Sequence, residues 1–163
     1  MHESCREWAL QEKGARDMAL HFKKILVPYD GSDHAKKALA QAVALAEDSG
    51  ASILLATVCQ MMSASTNAFE LASAMGRDLV RELRGKCEAA LEEGASLIPE
   101  GVSFEKKMPI GSAGPMLEEL AEKEGCDLIV MGSRGLGPLK SAFLGSVSSW
   151  LVSHSRCAIL IVK

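Results

Sequence analysis

The sequence predicts an α/β domain built on a parallel sheet, and three observations carry that expectation. Two periodicities alternate along the chain: short apolar runs of strand length are separated by longer amphipathic segments whose apolar residues recur at helical spacing. The order strand, helix, strand repeats to a fifth strand, and crossovers of that kind bring consecutive strands back parallel. Finally, 163 residues at 48% hydrophobic composition form one domain of ordinary size with enough apolar material for a proper core.

Residues 1–22 stand outside the alternation. Trp8, Ala9 and Met18 would line a short helix, but Gly14 interrupts it, so the expectation is an N-terminal extension ahead of a domain spanning 23–163. Ile25 to Tyr29 is the first strand. Asp30, Gly31 and Ser32 make the turn, with Ser32 as the N-cap of a helix from Asp33 to about Asp48. Its stripe of Ala35, Ala38, Leu39, Ala42, Leu45 and Ala46 is alanine-rich and packs close to a sheet. Ser49 and Gly50 end it, and Ala51 to Cys59 is the second strand. The segment Gln60 to Asn67 is polar; following a strand's carboxyl end, it is either a plain connector or a cover for the crevice. The next helix carries Ala72, Met75, Leu79, Leu83, Cys87 and Leu91 on one stripe. Gly76 and Gly85 each weaken it by up to about 1 kcal/mol relative to alanine, which predicts a bend or a break.

Val102 to Lys107 alternates apolar and polar, as an edge strand with one covered face does. Pro109, Gly111 and Gly114 mark a loop, and Pro115 suits the first turn of a helix that buries Met116, Leu117, Leu120 and Ala121 and stops at Gly125. A fourth strand ends at Met131. The last helix has Val147, Trp150 and Leu151 as its buried stripe, with His154 near its end, and Cys157 to Lys163 is the fifth strand.

Charge and cysteine usage exclude several classes. A net charge of -3 with a pI near 5.8 offers no basic field for nucleic acid or an acidic membrane. No apolar run approaches the roughly 18 residues of a membrane helix. The N-terminal charges Glu3, Arg6, Glu7, Glu12 and Lys13 leave no apolar region for a secretory signal. Five cysteines, at 5, 59, 87, 126 and 157, are odd in number and without a C-x-x-C pair, which reads as structural thiols in a reducing, cytoplasmic setting.

Chemistry concentrates between Asp127 and Ser148, DLIVMGSRGLGPLKSAFLGSVS. A buried strand runs into glycines at 132, 135 and 137, and Gly145 opens the last helix. Glycine lets backbone N–H groups approach an anion without a Cβ in the way. Ser146 is the expected N-cap. A strand end, a bare loop and a helix N-terminus together suit a phosphate; an ordinary strand-to-helix turn uses the same residues. Neither G-x-x-x-x-G-K-[ST] nor G-x-G-x-x-G is present. Arg134 and Lys140 either screen phosphate charge or are simply solvated, and the hydroxyls of Ser146 and Ser148 reach the same place as the helix N–H groups. Asp30, at the carboxyl end of the first strand, also has two readings: a turn aspartate bonding its own backbone, or a carboxylate accepting from ribose hydroxyls and holding a hydrated divalent ion.

The pattern G-x2-G-x9-G-[ST], met by Gly132, Gly135, Gly145 and Ser146 directly after a strand ending in Met131, resembles the nucleotide-binding signature of the universal stress protein family. KKILVPYDGSDHAKKAL resembles that family's first strand and turn, and CAILIVK its last strand, so the likeness runs from about Lys23 to Lys163. It implies a Rossmann-like open five-stranded parallel sheet of order 3-2-1-4-5 with helices on both faces, and a homodimer paired through the C-terminal strand. It also implies ATP, with Mg2+ or Mn2+, held by Pro28, Tyr29, Asp30, Val58, Met131, Gly132, Arg134, Gly135, Gly145, Ser146, Val147 and Ser148, the backbone around Val58 facing adenine and Asp30 touching a metal only indirectly. One departure stands out: where the family usually has proline after the position of Cys157, this chain has Ala158. The loop offers no carboxylate between Asp127 and Lys163 to place a water, so any hydrolysis would be slow. The functional expectation is a regulatory adenine-nucleotide-binding module of the stress response. Its alternatives are a nucleotide-free dimeric interaction domain and a slow ATP hydrolase. The letters alone do not separate ATP from cyclic AMP.

Overall fold

The computed structural model describes residues 22–60, 74–137 and 144–163. Residues 1–21 of the extension, residues 61–73 (with Met61, Met62 and Ala72) and Lys140 lie outside the described residues. Within them the chain forms β1 (Lys24–Pro28), α1 (Asp33–Ser49), β2 (Ser52–Ala56), α2 (Ala74–Ser96), β3 (Phe104–Lys107), α3 (Ala113–Lys123), β4 (Leu128–Gly132), α4 (Ser146–His154) and β5 (Ala158–Val162). The sheet order is β3-β2-β1-β4-β5, every neighbour parallel, as expected.

β1 lies between β2 and β4, and Ile25, Leu26 and Val27 are completely buried. A strand covered on both faces has no reason to alternate, which is why the run reads as unbroken apolar. Successive side chains still point to opposite faces. Ile25, Val27 and Tyr29 join the alanines of α1 and Leu91 of α2, whereas Leu26 joins Ile129, Leu117 of α3 and Leu151 of α4. Two helices therefore cover each face.

Local chemistry sets the element ends. The Ser32 hydroxyl accepts from the Ala35 N–H at 3.2 Å, and Gly50, at a φ of 73°, closes α1 with its N–H on Ala46. Without a Cβ, Gly50 adopts that left-handed conformation freely.

Several sequence expectations need correction. β2 stops at Ala56; Thr57 to Cys59 continue the chain direction, with a single bridge from Cys59 to Ile110. β3 begins at Phe104, whose ring is 38% exposed, so the covered side of that edge falls to Val102 and Met108 instead. α2 runs without a break through Gly85, yet Leu79 on its expected apolar stripe is exposed. Its 23 residues extend about 34 Å at 1.5 Å per residue, about twice the length of a five-residue strand, so one end overhangs the sheet. Trp150 was expected in the core and is instead partly exposed, its ring laid over α3 at Gly114.

Candidate functional site

The carboxyl ends of β1 and β4 meet where the strand order reverses, the place where open α/β sheets receive ligands. Pro28 and Met131 stand there, on the face covered by α3 and α4, and half-buried Val58 packs against the same cluster. Beyond β2, Thr57 and Cys59 turn their backbone N–H groups to Lys107 and Pro109 of the β3 side, at 3.1 and 2.9 Å. The N–H and C=O of Val58 have no partner among the described residues. One donor and one acceptor side by side suit the edge of a planar heterocycle.

Asp30 fulfils its turn reading and adds a contact that sequence reasoning missed. Oδ1 accepts from the Ser32 N–H at 3.0 Å, and Oδ2 accepts from the Leu136 N–H, 106 residues later, at 3.1 Å. Leu136 carries no sequence signal for this, because its backbone donates and its side chain is 75% exposed. The rest of the loop is pinned at its base. Ser133, buried, donates its N–H to Val162 at 2.7 Å and accepts from Gly145 at 2.8 Å.

The glycines of the pattern have different reasons for being small. A Cβ on Gly132 would stand 2.7 Å from the His34 Cβ and 2.8 Å from its carbonyl carbon, so α1 fills that space. A Cβ on Gly135 would collide with Oδ2 of Asp30. At Gly145 the nearest atoms would be Arg134 Cα at 3.5 Å and Ser133 O at 3.7 Å, ordinary contact.

The start of α4 also differs from expectation. Gly145, not Ser146, is the N-cap, with extended φ and ψ and no side-chain cap. Ser146 is the first helical residue and is exposed. The Ser148 hydroxyl, buried, donates to the carbonyls of Ser133 and Gly145 at 3.1 and 3.0 Å and caps nothing. Since the N–H of Gly145 is already paired, the donors left open among the described residues are those of the first turn, Ser146, Val147 and Ser148, which a helix cannot satisfy internally. Arg134 is exposed beside them.

Tyr29 turns away from the crevice. Its ring lies in the core against Gly94, its N–H donates to Ala56, and its carbonyl accepts from the Thr57 hydroxyl at 2.8 Å. Burial first, then the Glu93 carboxylate, raise the phenol pKa, and its oxygen has no hydrogen bond of good geometry. The described cysteines are all free. Burial pushes Cys87 up to about 11 and Cys126 up to about 12, so both stay protonated at neutral pH. Among the described residues no group of three metal-ligating side chains gathers, so a divalent ion has no ready protein cage here. His154 stacks on Trp150 with ring centroids 3.9 Å apart, and its Nδ1 lies 2.9 Å from the Trp150 carbonyl oxygen, away from the rim.

Comparison with known proteins gives a consistent picture. Residues 21–163 match the universal stress protein family. A universal stress protein of Thermus aquaticus is 36% identical over 143 residues, covering 87% of this chain and 99% of that protein. UspA of Lactobacillus plantarum superposes with a TM-score of 0.74 at 23% identity, over 88% of this chain and 99% of that one. A universal stress protein solved in complex with cAMP superposes with a TM-score of 0.56 at 26% identity, over 88% of this chain and 98% of that one.

Proposed function

This chain belongs to the universal stress protein family, and we propose from that premise that it is a regulatory module of the stress response that binds an adenine nucleotide, ATP in the first instance. The observation that carries the reading is the open first turn of α4, three uncapped N–H groups beside the β1 and β4 strand ends. Backbone donors at a helix N-terminus, with the positive end of the helix dipole, suit a polyphosphate. The unpaired N–H and C=O of Val58 suit the adenine edge, and Asp30 the ribose hydroxyls. A related protein was solved in complex with cAMP, which supports an adenine nucleotide as the ligand class. Mg2+ or Mn2+ would ride on the phosphates, reaching Asp30 only through water. The free thiols fit a reducing cytoplasm.

Purified protein incubated with labelled ATP, with and without Mg2+ or Mn2+, tests this by retention and by product. Retention without product is the expected result; rapid product would make it a hydrolase, and neither would leave a nucleotide-free scaffold. Competition by unlabelled AMP and cyclic AMP then ranks the nucleotides.

The same protein is proposed to dimerise through β5. That strand is an edge with Leu160 39% exposed, and an unprotected apolar edge pairs readily. Leu160→Lys is expected to shift the sedimenting species from dimer to monomer; an unchanged species would place the interface elsewhere.

A further inference from the structure

We propose that Asp30 is a positioning residue for the glycine loop, acting on the phosphate end of the site through the chain itself as well as on a sugar through its carboxylate. The proposal rests on the nucleotide-binding reading above and deepens it. Its basis is the bond from the Leu136 N–H to Asp30 Oδ2 at 3.1 Å, which ties the loop after β4 to the turn after β1.

Three features make this tie specific. The Leu136 side chain is 75% exposed, so apolar packing does not hold that residue where it is. The other carboxylate oxygen accepts from the Ser32 N–H at 3.0 Å, and Ser32 in turn caps α1, so Asp30 is anchored to a helix terminus before it reaches the loop. Gly135, next to Leu136, has no Cβ because Oδ2 occupies that place, so loop and carboxylate are fitted to one another. The base of the same loop continues through Ser133, which accepts from Gly145 at the start of α4. Asp30 thus helps set where the loop lies relative to the open first turn of α4.

A carboxylate can satisfy all of these at once. Its two oxygens offer about four acceptor sites, two of which are engaged, leaving room for sugar hydroxyls. An asparagine cannot, because one of its two terminal atoms only donates. Asp30→Asn therefore keeps shape but surrenders either the Ser32 or the Leu136 bond.

The test separates a sugar contact from a loop-positioning role by using a ligand with no sugar. Inorganic tripolyphosphate and ATP are each titrated into wild type and Asp30→Asn, and hydrogen exchange is followed at residues 133–137, with thermal midpoint as a control. A hydrogen bond to a charged group is worth roughly a factor of ten or more. The expected result is a loss of about that size for tripolyphosphate as well as for ATP, with faster exchange at Leu136 and a midpoint lowered by no more than a few degrees. Tripolyphosphate binding that is unchanged or tighter, with unchanged exchange at Leu136, would overturn the proposal and leave Asp30 a sugar contact alone. Gly135→Ala supplies a second variant: its added methyl should speed exchange at Leu136 in the wild-type background and have little effect in Asp30→Ala, where the carboxylate is gone. Equal effects in both backgrounds would overturn the fit between the two residues. Should wild type bind neither ligand, the nucleotide reading fails, while the exchange measurements still decide whether Asp30 holds the loop.

Discussion

Two parts of one glycine pattern obey different constraints. Gly132 and Gly135 are small because the protein itself occupies the space, with His34 of α1 against the first and Asp30 against the second. Gly145 is small with nothing among the described residues demanding it: its φ of -71° suits any residue, and a Cβ would make only ordinary contacts with them. A motif that reads as a single ligand signature is therefore partly a packing signature. The part nearest the phosphate proposal is the one that folding leaves free.

Breaking the packing half should give the largest effect. Gly132→Ala puts a methyl 2.7 Å from the His34 Cβ and 2.8 Å from backbone, and a helix backbone cannot swing aside as a flexible side chain can. Overpacking of this kind costs about 1–3 kcal/mol. Urea unfolding should show a lower midpoint with an unchanged slope. A midpoint equal to wild type would mean that α1 is free to move away from β4.

The free half sharpens the contrast with the opposite sign. Gly145→Asn places a favoured N-cap side chain where none exists, able to accept from the uncapped N–H groups of α4. Stability should stay level or rise by a few tenths of a kcal/mol. Labelled ATP retention should nevertheless fall sharply, because the new side chain takes the donors proposed for phosphate. Retention equal to wild type would remove the first turn of α4 from the site. A large fall in stability would show that Gly145 belongs with Gly132.

What the sequence made legible follows the same division. Buried apolar runs, the Ser32 cap and the Gly50 stop depend on neighbours a few residues away, and all were readable. The strand order came from the family likeness. Asp30 on Leu136 and His34 against Gly132 depend on residues about a hundred positions apart, and no periodicity encodes them. Ser146 is a good N-cap by type, but the chain enters α4 one residue earlier, where Gly145 is tied to Ser133. Thr57 reads as one more residue of the second strand and Ser133 as the start of a loop, so neither letter shows that it is buried and fixes a strand end. Trp150 reads as core from its place on one helical stripe with Val147 and Leu151, whereas its seat is decided by the missing Cβ of Gly114, which lets the ring lie on α3.

The smallest expected effect lies away from the rim and tests that the two regions are separable. Just beyond α3, Glu124 pairs with Lys107 at 3.0 Å and with Lys24 at 3.2 Å. Hydrogen bonds from Lys107 and then Lys24 hold its pKa below the usual carboxylate value, and the Lys107 pKa is raised in return. A carboxylate with a depressed folded pKa contributes stability that is present above its unfolded pKa of about 4.5 and is lost as pH falls through the folded one. Glu124→Gln should therefore be slightly less stable than wild type at neutral pH, since exposed pairs contribute little. The difference should close on the acid side, below the folded pKa, where wild type is protonated too. Thermal midpoints measured from pH 7 down to pH 3 follow this closure. ATP retention should not change, because the Glu124 pairs with Lys24 and Lys107 include neither Asp30 nor the start of α4. A gap that does not narrow toward the acid end would mean that the glutamate acts through packing, and altered retention would mean that charge here reaches the crevice.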